Sequence, residues 1–223
     1  VKYKVNNFIF SSSAAVYGVP EYSPIDEKHS KFPINPYGKT KLMVEQILQD
    51  YEAAYQLHSV CLRYFNAAGA HPDGVLGERH DPESHLIPLV LQVASGRREN
   101  IKIYGNDYET PDGTCVRDYV HIMDLCSAHL LSLEYLWTHH TSEVFNLGNH
   151  EGFSVKDVIK VAQAITEKNI TVEVAHRRAG DVPVLVADAT KAKKELNWQP
   201  CFSSLRDMIQ HAWVWERKQM DLK

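Results

Sequence analysis

The chain has 223 residues, 44% of them hydrophobic and 23% charged, with a net charge of -4. That is ordinary globular composition, long enough for one large domain or two small ones with a sizeable core. It is too acidic for a nucleic-acid surface, no apolar run approaches the roughly 18 residues of a membrane span, and no signal peptide is expected. Cys61, Cys115, Cys126 and Cys201 are scattered without a Cys-x-x-Cys pair, so they read as reduced thiols of a cytoplasmic protein. The 12 His show no His-Glu-x-x-His or similar ligand spacing, and no metal site is expected.

Phe8-Ile9-Phe10 reads as a buried parallel strand. It delivers Ser11-Ser12-Ser13 to its carboxyl end, where open α/β sheets bind ligands. A Pro-rich loop from Val19 to Pro36 follows. From about Tyr37 to Gln56 the periodicity predicts a long helix, with Leu42, Ile47, Leu48, Tyr51, Ala54 and Tyr55 apolar and Glu45, Gln49 and Glu52 between them. The apolar positions spread beyond one stripe, which suits packing against a sheet and against a partner subunit. Ser59 to Tyr64 is the next strand, ending in Tyr64-Phe65-Asn66.

After Ala68 the composition shifts. Gly69 to Gly74 opens a long excursion rich in turn signals, read as functional because it leaves a ligand-bearing edge. A helix is predicted from His85 to about Gly96, then a short strand from Asn100 to Tyr104. A Pro-Asp-Gly turn at 111–113 precedes a strand carrying Arg117. The following helix, Ile122 to Trp137, has Asp124 in its first turn, where the dipole favours it. Glu143 to Leu147 is a strand, Ser154 caps a helix through Ile165, and Thr171 to Ala175 is a strand. Arg177-Arg178 lies in a loop before Gly180-Asp181. Two guanidiniums there suit a diphosphate, the alternative being a solvated charge pair. Asp188 opens a short helix to Leu196, and Ser203 caps a last one to about Arg217.

The most specific chemistry lies in Tyr37-Gly38-Lys39-Thr40-Lys41. At i and i+4 a phenol and an ammonium share one helix face. An ordinary phenol titrates near pH 10. A cation about 4 Å away, at an effective dielectric near 20, stabilises the phenolate by about 4 kcal/mol, enough for a base working near neutrality. Such a pair suits proton abstraction from a sugar or steroid hydroxyl. No Gly-rich pyrophosphate turn follows a first strand, although dinucleotide folds carry one in their first βα unit. On the order of a hundred residues are therefore expected on the amino-terminal side. The chain reads as part of a longer polypeptide, and alone should bind a dinucleotide poorly.

The order of strand-end serines, Ala15-Val16-Tyr17-Gly18, Pro-rich loop and Tyr-x-x-x-Lys helix resembles the extended short-chain dehydrogenase/reductase superfamily. The resemblance puts Ser13, Tyr37 and Lys41 at its catalytic trio. Leu62-Arg63-Tyr64-Phe65-Asn66, Gly105-Asn106-Asp107-Tyr108, Asp112 to His121 and Arg177-Arg178-Ala179-Gly180-Asp181 narrow it. In this order, over essentially all of the chain, the motifs resemble the UDP-glucose 4-epimerase family. The related sugar-nucleotide dehydratases carry an acidic residue near the Ser13 position, and this chain does not.

The resemblance implies an α/β fold: part of a Rossmann-like doubly wound parallel sheet plus a smaller α/β substrate-binding domain. Residues 1–68 would be the carboxyl-side part of the NAD-binding domain. Residues 69–223 would be mainly UDP-sugar-binding, with some segments returning to the sheet. It further implies an NAD-dependent epimerase in which Tyr37 removes the sugar 4-hydroxyl proton, assisted by Ser13, and hydride passes reversibly to NAD. Ser11, Ser13, Tyr37, Lys41, Tyr64 and Phe65 would face the cofactor. Ser13, Tyr37, Asn66, His85, Leu86, Lys102, Ile103, Tyr104, Arg117, Arg178, Asp181 and Leu185 would face the UDP-sugar. Many family members carry Asn at His85, and Leu185, at the position gating N-acetylated sugars, is intermediate in bulk. A UDP-N-acetylglucosamine or UDP-pentose epimerase is the near alternative, and a non-catalytic sugar-nucleotide-binding protein the distant one. A homodimer formed through the Tyr37 helix is expected.

Overall fold

The structure, a computed structural model, describes residues 2–221. The chain packs as two units. The first comprises the segment ending at Phe65 together with Asp124–Glu151 and Leu185–Pro200. The second comprises Asn66–Met123, Gly152–Val184 and the chain from Cys201 onward.

The first unit is built on three parallel strands, β1 (Asn7–Ser11), β2 (His58–Tyr64) and β6 (Glu143–Leu147), in the order β1-β2-β6. Val60, Cys61 and Leu62 in β2 and Phe145 and Leu147 in β6 are buried, as strands covered on both faces require. Helix α1 (Pro36–Tyr55) joins β1 to β2. Its start follows from local chemistry. Asn35, in extended backbone, accepts from Gly38 N at 2.8 Å, and Pro36 occupies the first turn, where a missing N–H costs nothing. Glu45, which periodicity groups with the polar side of this helix, is instead only 3% exposed. A carboxylate is stable there because Arg63 of β2 meets it with two hydrogen bonds. Helix α3 (Ile122–His139) precedes β6, and α5 (Thr190–Glu195) docks on β6 through Lys191 Nζ and the Val144 carbonyl at 3.0 Å.

The second unit holds β3 (Asn66–Ala68) parallel to β5 (Val116–His121), which pairs antiparallel with β7 (Gly152–Ser154). A separate parallel pair joins β4 (Ile101–Tyr104) to β8 (Val172–Ala175). Its core gathers α2 (Leu86–Ala94), α4 (Val155–Thr166) and α6 (Leu205–Asp221) around Ile87, Leu91, Val158, Met208 and Ile209. Ser154 caps α4 in a reciprocal capping box with Asp157. The cap of α6 falls one residue later than Ser203: Ser204 Oγ accepts from Asp207 N at 3.0 Å. The short strands β3, β7 and β9 (Val184–Leu185) have too few residues for an alternation to register in sequence. The pairs β1–β2, β2–β6, β3–β5 and β4–β8 are parallel and β5–β7 is antiparallel, so the chain is an α/β protein with parallel sheets.

Candidate active site

Because β1 and β2 run parallel in register, with Ser11 opposite Leu62, their carboxyl ends bring Ser11–Ser13 and Tyr64–Phe65 to the same edge. Three serines there are held differently. Ser11 Oγ lies 3.0 Å from His129 Nε2. Ser12 is buried and donates to Glu45 Oε1 at 2.5 Å. Ser13, in extended backbone, accepts from Ala15 N at 3.1 Å and caps a single 3₁₀ turn, Ala14–Val16. Capping uses an oxygen lone pair and leaves the Ser13 hydroxyl proton to be donated elsewhere.

Tyr37 sits in the first turn of α1 and is 54% exposed. One turn on, Lys41 donates to the Ser11 carbonyl at 2.8 Å, and its ammonium stands 5.4 Å from the Tyr37 ring centre and 5.0 Å from that of Phe10. Gly38 makes this approach possible: a Cβ there would lie 2.3 Å from the Ala15 carbonyl oxygen. Any side chain would push α1 off the turn that carries Ser13.

Beneath this edge lies a polar network that sequence reading did not single out. Arg63 meets Glu45 through Nε at 2.9 Å and Nη2 at 2.5 Å, and donates through Nη1 to the Tyr17 hydroxyl at 3.0 Å. Tyr17 donates in turn to Asn146 Oδ1 at 2.7 Å, and Asn146 Nδ2 to the Ile25 carbonyl at 2.9 Å. Burial pushes the Tyr17 phenol up to about 12, outweighing the Arg63 charge, so this tyrosine is a structural hydroxyl and not a base. Burial opposes the charge on Arg63, but its hydrogen bonds to Glu45 reverse that and hold it more firmly protonated than usual. In sequence Glu45 stands only as one of the polar positions between the apolar ones of this helix. Phe65 is buried with Ala14, Val16, Tyr17, Ile25 and Ala187, and Leu185 packs on that cluster.

In the second unit, Asn66 donates to the Asp118 carbonyl at 2.8 Å. Arg117 donates to the Val182 carbonyl at 2.8 Å and reaches Asp181 at 3.5 Å, while Arg178 Nε pairs with the other oxygen of Asp181 at 2.9 Å. Asp181 is thus held between two guanidiniums. The Arg178 guanidinium also stacks over the Tyr104 ring at 4.6 Å. Arg177 is engaged elsewhere, with Asp107 at 2.8 Å and over Tyr108 at 4.2 Å, and it holds the Asp107 carboxyl below the usual range. On β4, Ile103 is buried while Lys102 and Tyr104 point outward, and Lys102 lies 3.6 Å from Glu173. Leu86 opens α2 and packs on the core. His85, just before it, directs Nδ1 at Glu78. Glu78, His80, Glu83 and His85 converge there, a grouping that the expectation of no metal ligands did not anticipate.

A family model described as GDP-mannose 4,6 dehydratase matches residues 2–211. The chain is 51% identical over 218 residues to a UDP-glucose 4-epimerase of Halalkalibacterium halodurans, covering 98% of this chain and 65% of that protein. Among solved structures, the UDP-glucose 4-epimerase of Brucella ovis in complex with NAD superposes with a TM-score of 0.91 at 48% identity, over 93% of this chain and 64% of that one. The enzyme from Bifidobacterium longum, in complex with NAD+ and UDP, gives 0.93 at 41% identity, over 99% and 66%. The chain thus spans about 65% of the length of the curated relatives it matches. Its parallel strands follow the Rossmann-like architecture of those structures. With about half its residues identical over nearly all of its length, this chain belongs to the UDP-glucose 4-epimerase family.

Proposed function

We propose that the protein interconverts UDP-glucose and UDP-galactose by transient oxidation at sugar C4, using NAD. The observation that carries this reading is Lys41, fixed on the Ser11 carbonyl and 5.4 Å from the Tyr37 ring. It places a phenol and a cation beside the serine-bearing end of a parallel sheet. Residues 1–68 would form the carboxyl-side part of the NAD-binding domain, and 69–223 would mainly hold the UDP-sugar.

The residues at the β1 and β2 edge fit the nicotinamide end of a dinucleotide. The Lys41 ammonium has three donors, of which one goes to Ser11 O, leaving capacity for ribose hydroxyls. Phe65 would present an apolar surface, flanked by Ser11, Ser13 and Tyr64. NAD, when bound, would supply reversible hydride acceptance at C4. Tyr37 Oη would take the 4-hydroxyl proton and later return it, with Ser13 Oγ donating to the same sugar oxygen. The exposure of Tyr37 leaves it open to a hydroxyl brought by substrate, unlike Tyr17. Asn66, Arg117 and Arg178 would bind the diphosphate, Asp181 a ribose, and Leu86 with Lys102 to Tyr104 the uracil side. The Asp181 carboxylate already braces both arginine forks, so little side-chain ordering is left to binding. Leu185 would border the sugar.

The four cysteines are free thiols, and no helix among the described residues is long and apolar enough to cross a membrane. The free thiols support a cytoplasmic protein. A homodimer through α1 is supported by the apolar side chains that this helix exposes.

The test is UDP-galactose 4-epimerisation by the full-length protein, with NAD content measured in parallel. Tyr37→Phe should cut turnover by about 10²–10⁴-fold without loss of bound NAD. No turnover by the unaltered protein, or full activity of Tyr37→Phe, would overturn the proposal.

A further inference from the structure

Apart from the residues proposed for the reaction, the segment between β3 and α2 gathers two imidazoles and two carboxylates. Glu78, His80, Glu83 and His85 each present one ligand atom, all within 4.8 Å of one another. His80 Nδ1 lies 2.9 Å from Glu78 Oε1 and 3.7 Å from Glu83 Oε1; His85 Nδ1 lies 3.8 Å from Glu83 Oε1 and hydrogen-bonds Glu78 Oε1. A tetrahedral zinc ion with bonds near 2.0–2.1 Å holds its ligand atoms about 3.3 Å apart. The observed separations bracket that value.

The frame around the four is built and not merely crowded. Glu83 is almost fully buried, and its Oε1 accepts from Ser84 N at 2.7 Å and His85 N at 2.9 Å. The Trp215 indole of α6 donates to the Glu78 carbonyl at 2.8 Å, and a Cβ on Gly77 would strike that ring at 2.3 Å. Arg79 reaches Gln219 at 3.1 Å. Two arginines lining the same pocket are engaged elsewhere: Arg97 is tied bidentately to Glu216 at 2.7 and 2.5 Å, and Arg98 donates to the Asn100 carbonyl at 2.8 Å. The two imidazoles are more than half exposed, which gives an ion its entry path.

We propose that Glu78, His80, Glu83 and His85 form a binding site for one zinc ion, with two nitrogen and two carboxylate ligands. Four protein ligands close a tetrahedral shell, the pattern of a structural and not a catalytic zinc. The ion would fasten the loop directly to the start of α2, because Leu86 follows His85 in the chain. In that role His85 Nδ1 is a ligand and does not face the sugar nucleotide. The grouping is invisible to motif reading because its spacing, Glu-x-His-x-x-Glu-x-His, matches none of the common metal signatures.

The experiment is a zinc titration of the EDTA-treated full-length protein with ZnCl₂ against a chromophoric chelator, with melting temperature read alongside. We expect about one equivalent per chain and a raised melting temperature. His80→Asn/His85→Asn should weaken binding about 100-fold or more and abolish the thermal shift. Cys126→Ser/Cys201→Ser, which removes the exposed thiols, should change neither. Cobalt substitution of the unaltered protein reads the same site without relying on the folding of a variant. A visible d–d band without thiolate charge transfer is expected. Absence of zinc binding, retention of the equivalent in the double-His variant, or a thiolate cobalt spectrum would each overturn the proposal.

Discussion

Arg63 is 2% exposed and Glu45 3%, so each is stable only because the other is present. Taking an ion from water costs several kcal/mol, which close geometry can offset but rarely exceeds. Removing one partner strands the other. Glu45→Gln should therefore destabilise the protein by about 3–5 kcal/mol in urea unfolding. Glu45→Leu/Arg63→Met, which removes both charges together, should cost clearly less than the single change. Equal losses would mean that the network's hydrogen bonds to Ser12 and Tyr17, and not the ion pair, decide. A second buried group sets a pH limit. His121 is fully buried, shares a 3.0 Å bond with His211 and packs on Phe202. Burial and the His211 charge push its pKa down to about 4, with Asp207 opposing weakly. The folded state therefore favours neutral His121 while the unfolded chain still takes up a proton near pH 6.5. Stability from this residue is complete above 6.5 and is lost as pH falls toward 4, by no more than about 3 kcal/mol. Unfolding free energies from pH 7 to 4.5 should show that slope, flattened in His121→Asn. An unchanged slope would place the acid sensitivity elsewhere. Neither Glu45 nor His121 was legible in sequence, since a buried polar residue is recognised by its partner, 18 residues away in one case and 90 in the other.

The elements whose boundaries sequence reading anticipates closely are those with a local cause. The α1 start rests on the Asn35 cap and Pro36, the α4 start on the Ser154–Asp157 box, and the β1 and β2 strands on the apolar runs Phe8-Ile9-Phe10 and Val60-Cys61-Leu62. The elements it passed over, β3, β7 and β9, exist only because a neighbouring strand pairs with them, and nothing within two or three residues encodes that. Gly38 shows how a local choice serves a distant contact. Within a helix, Ala would normally be preferred to Gly by roughly 1 kcal/mol, yet here a Cβ would meet the Ala15 carbonyl at 2.3 Å. Gly38→Ala should lower stability by about 1–3 kcal/mol, against the propensity trend. If the protein is the epimerase proposed above, the change should also reduce turnover more than it weakens substrate binding, because the displaced turn of α1 carries Tyr37. A neutral or stabilising Gly38→Ala would mean that α1 shifts without strain. Asn35→Ala removes only the cap and should cost about 1 kcal/mol, a useful reference for stability lost without repositioning Tyr37.

At the level of the whole molecule, the parallel order β1-β2-β6 explains why residues far apart in sequence read as one set: carboxyl ends of adjacent parallel strands share an edge. The same order leaves α1 with a face that the sheet does not use. Met43, Ile47, Tyr51 and Tyr55 recur every fourth residue along it and are 57, 51, 42 and 55% exposed, with the Tyr51 and Tyr55 rings 5.2 Å apart. These four apolar residues, one on each successive turn of a 20-residue helix, form a continuous ridge, the surface that the proposed homodimer would use. A second copy is the partner that suits it, since a two-fold contact meets a ridge with the same ridge and needs no complementary surface elsewhere. In light scattering the full-length protein should have the mass of a dimer, and Ile47→Glu/Tyr51→Glu that of a monomer with unchanged far-UV dichroism. The substituted positions lie on the outward side of α1, whereas Gly38, Glu45 and Leu48 are the ones it buries, so the change tests association and leaves the helix its inner contacts. A dimer that survives both charges would move the interface off α1. A monomeric unaltered protein would leave the ridge to a different partner.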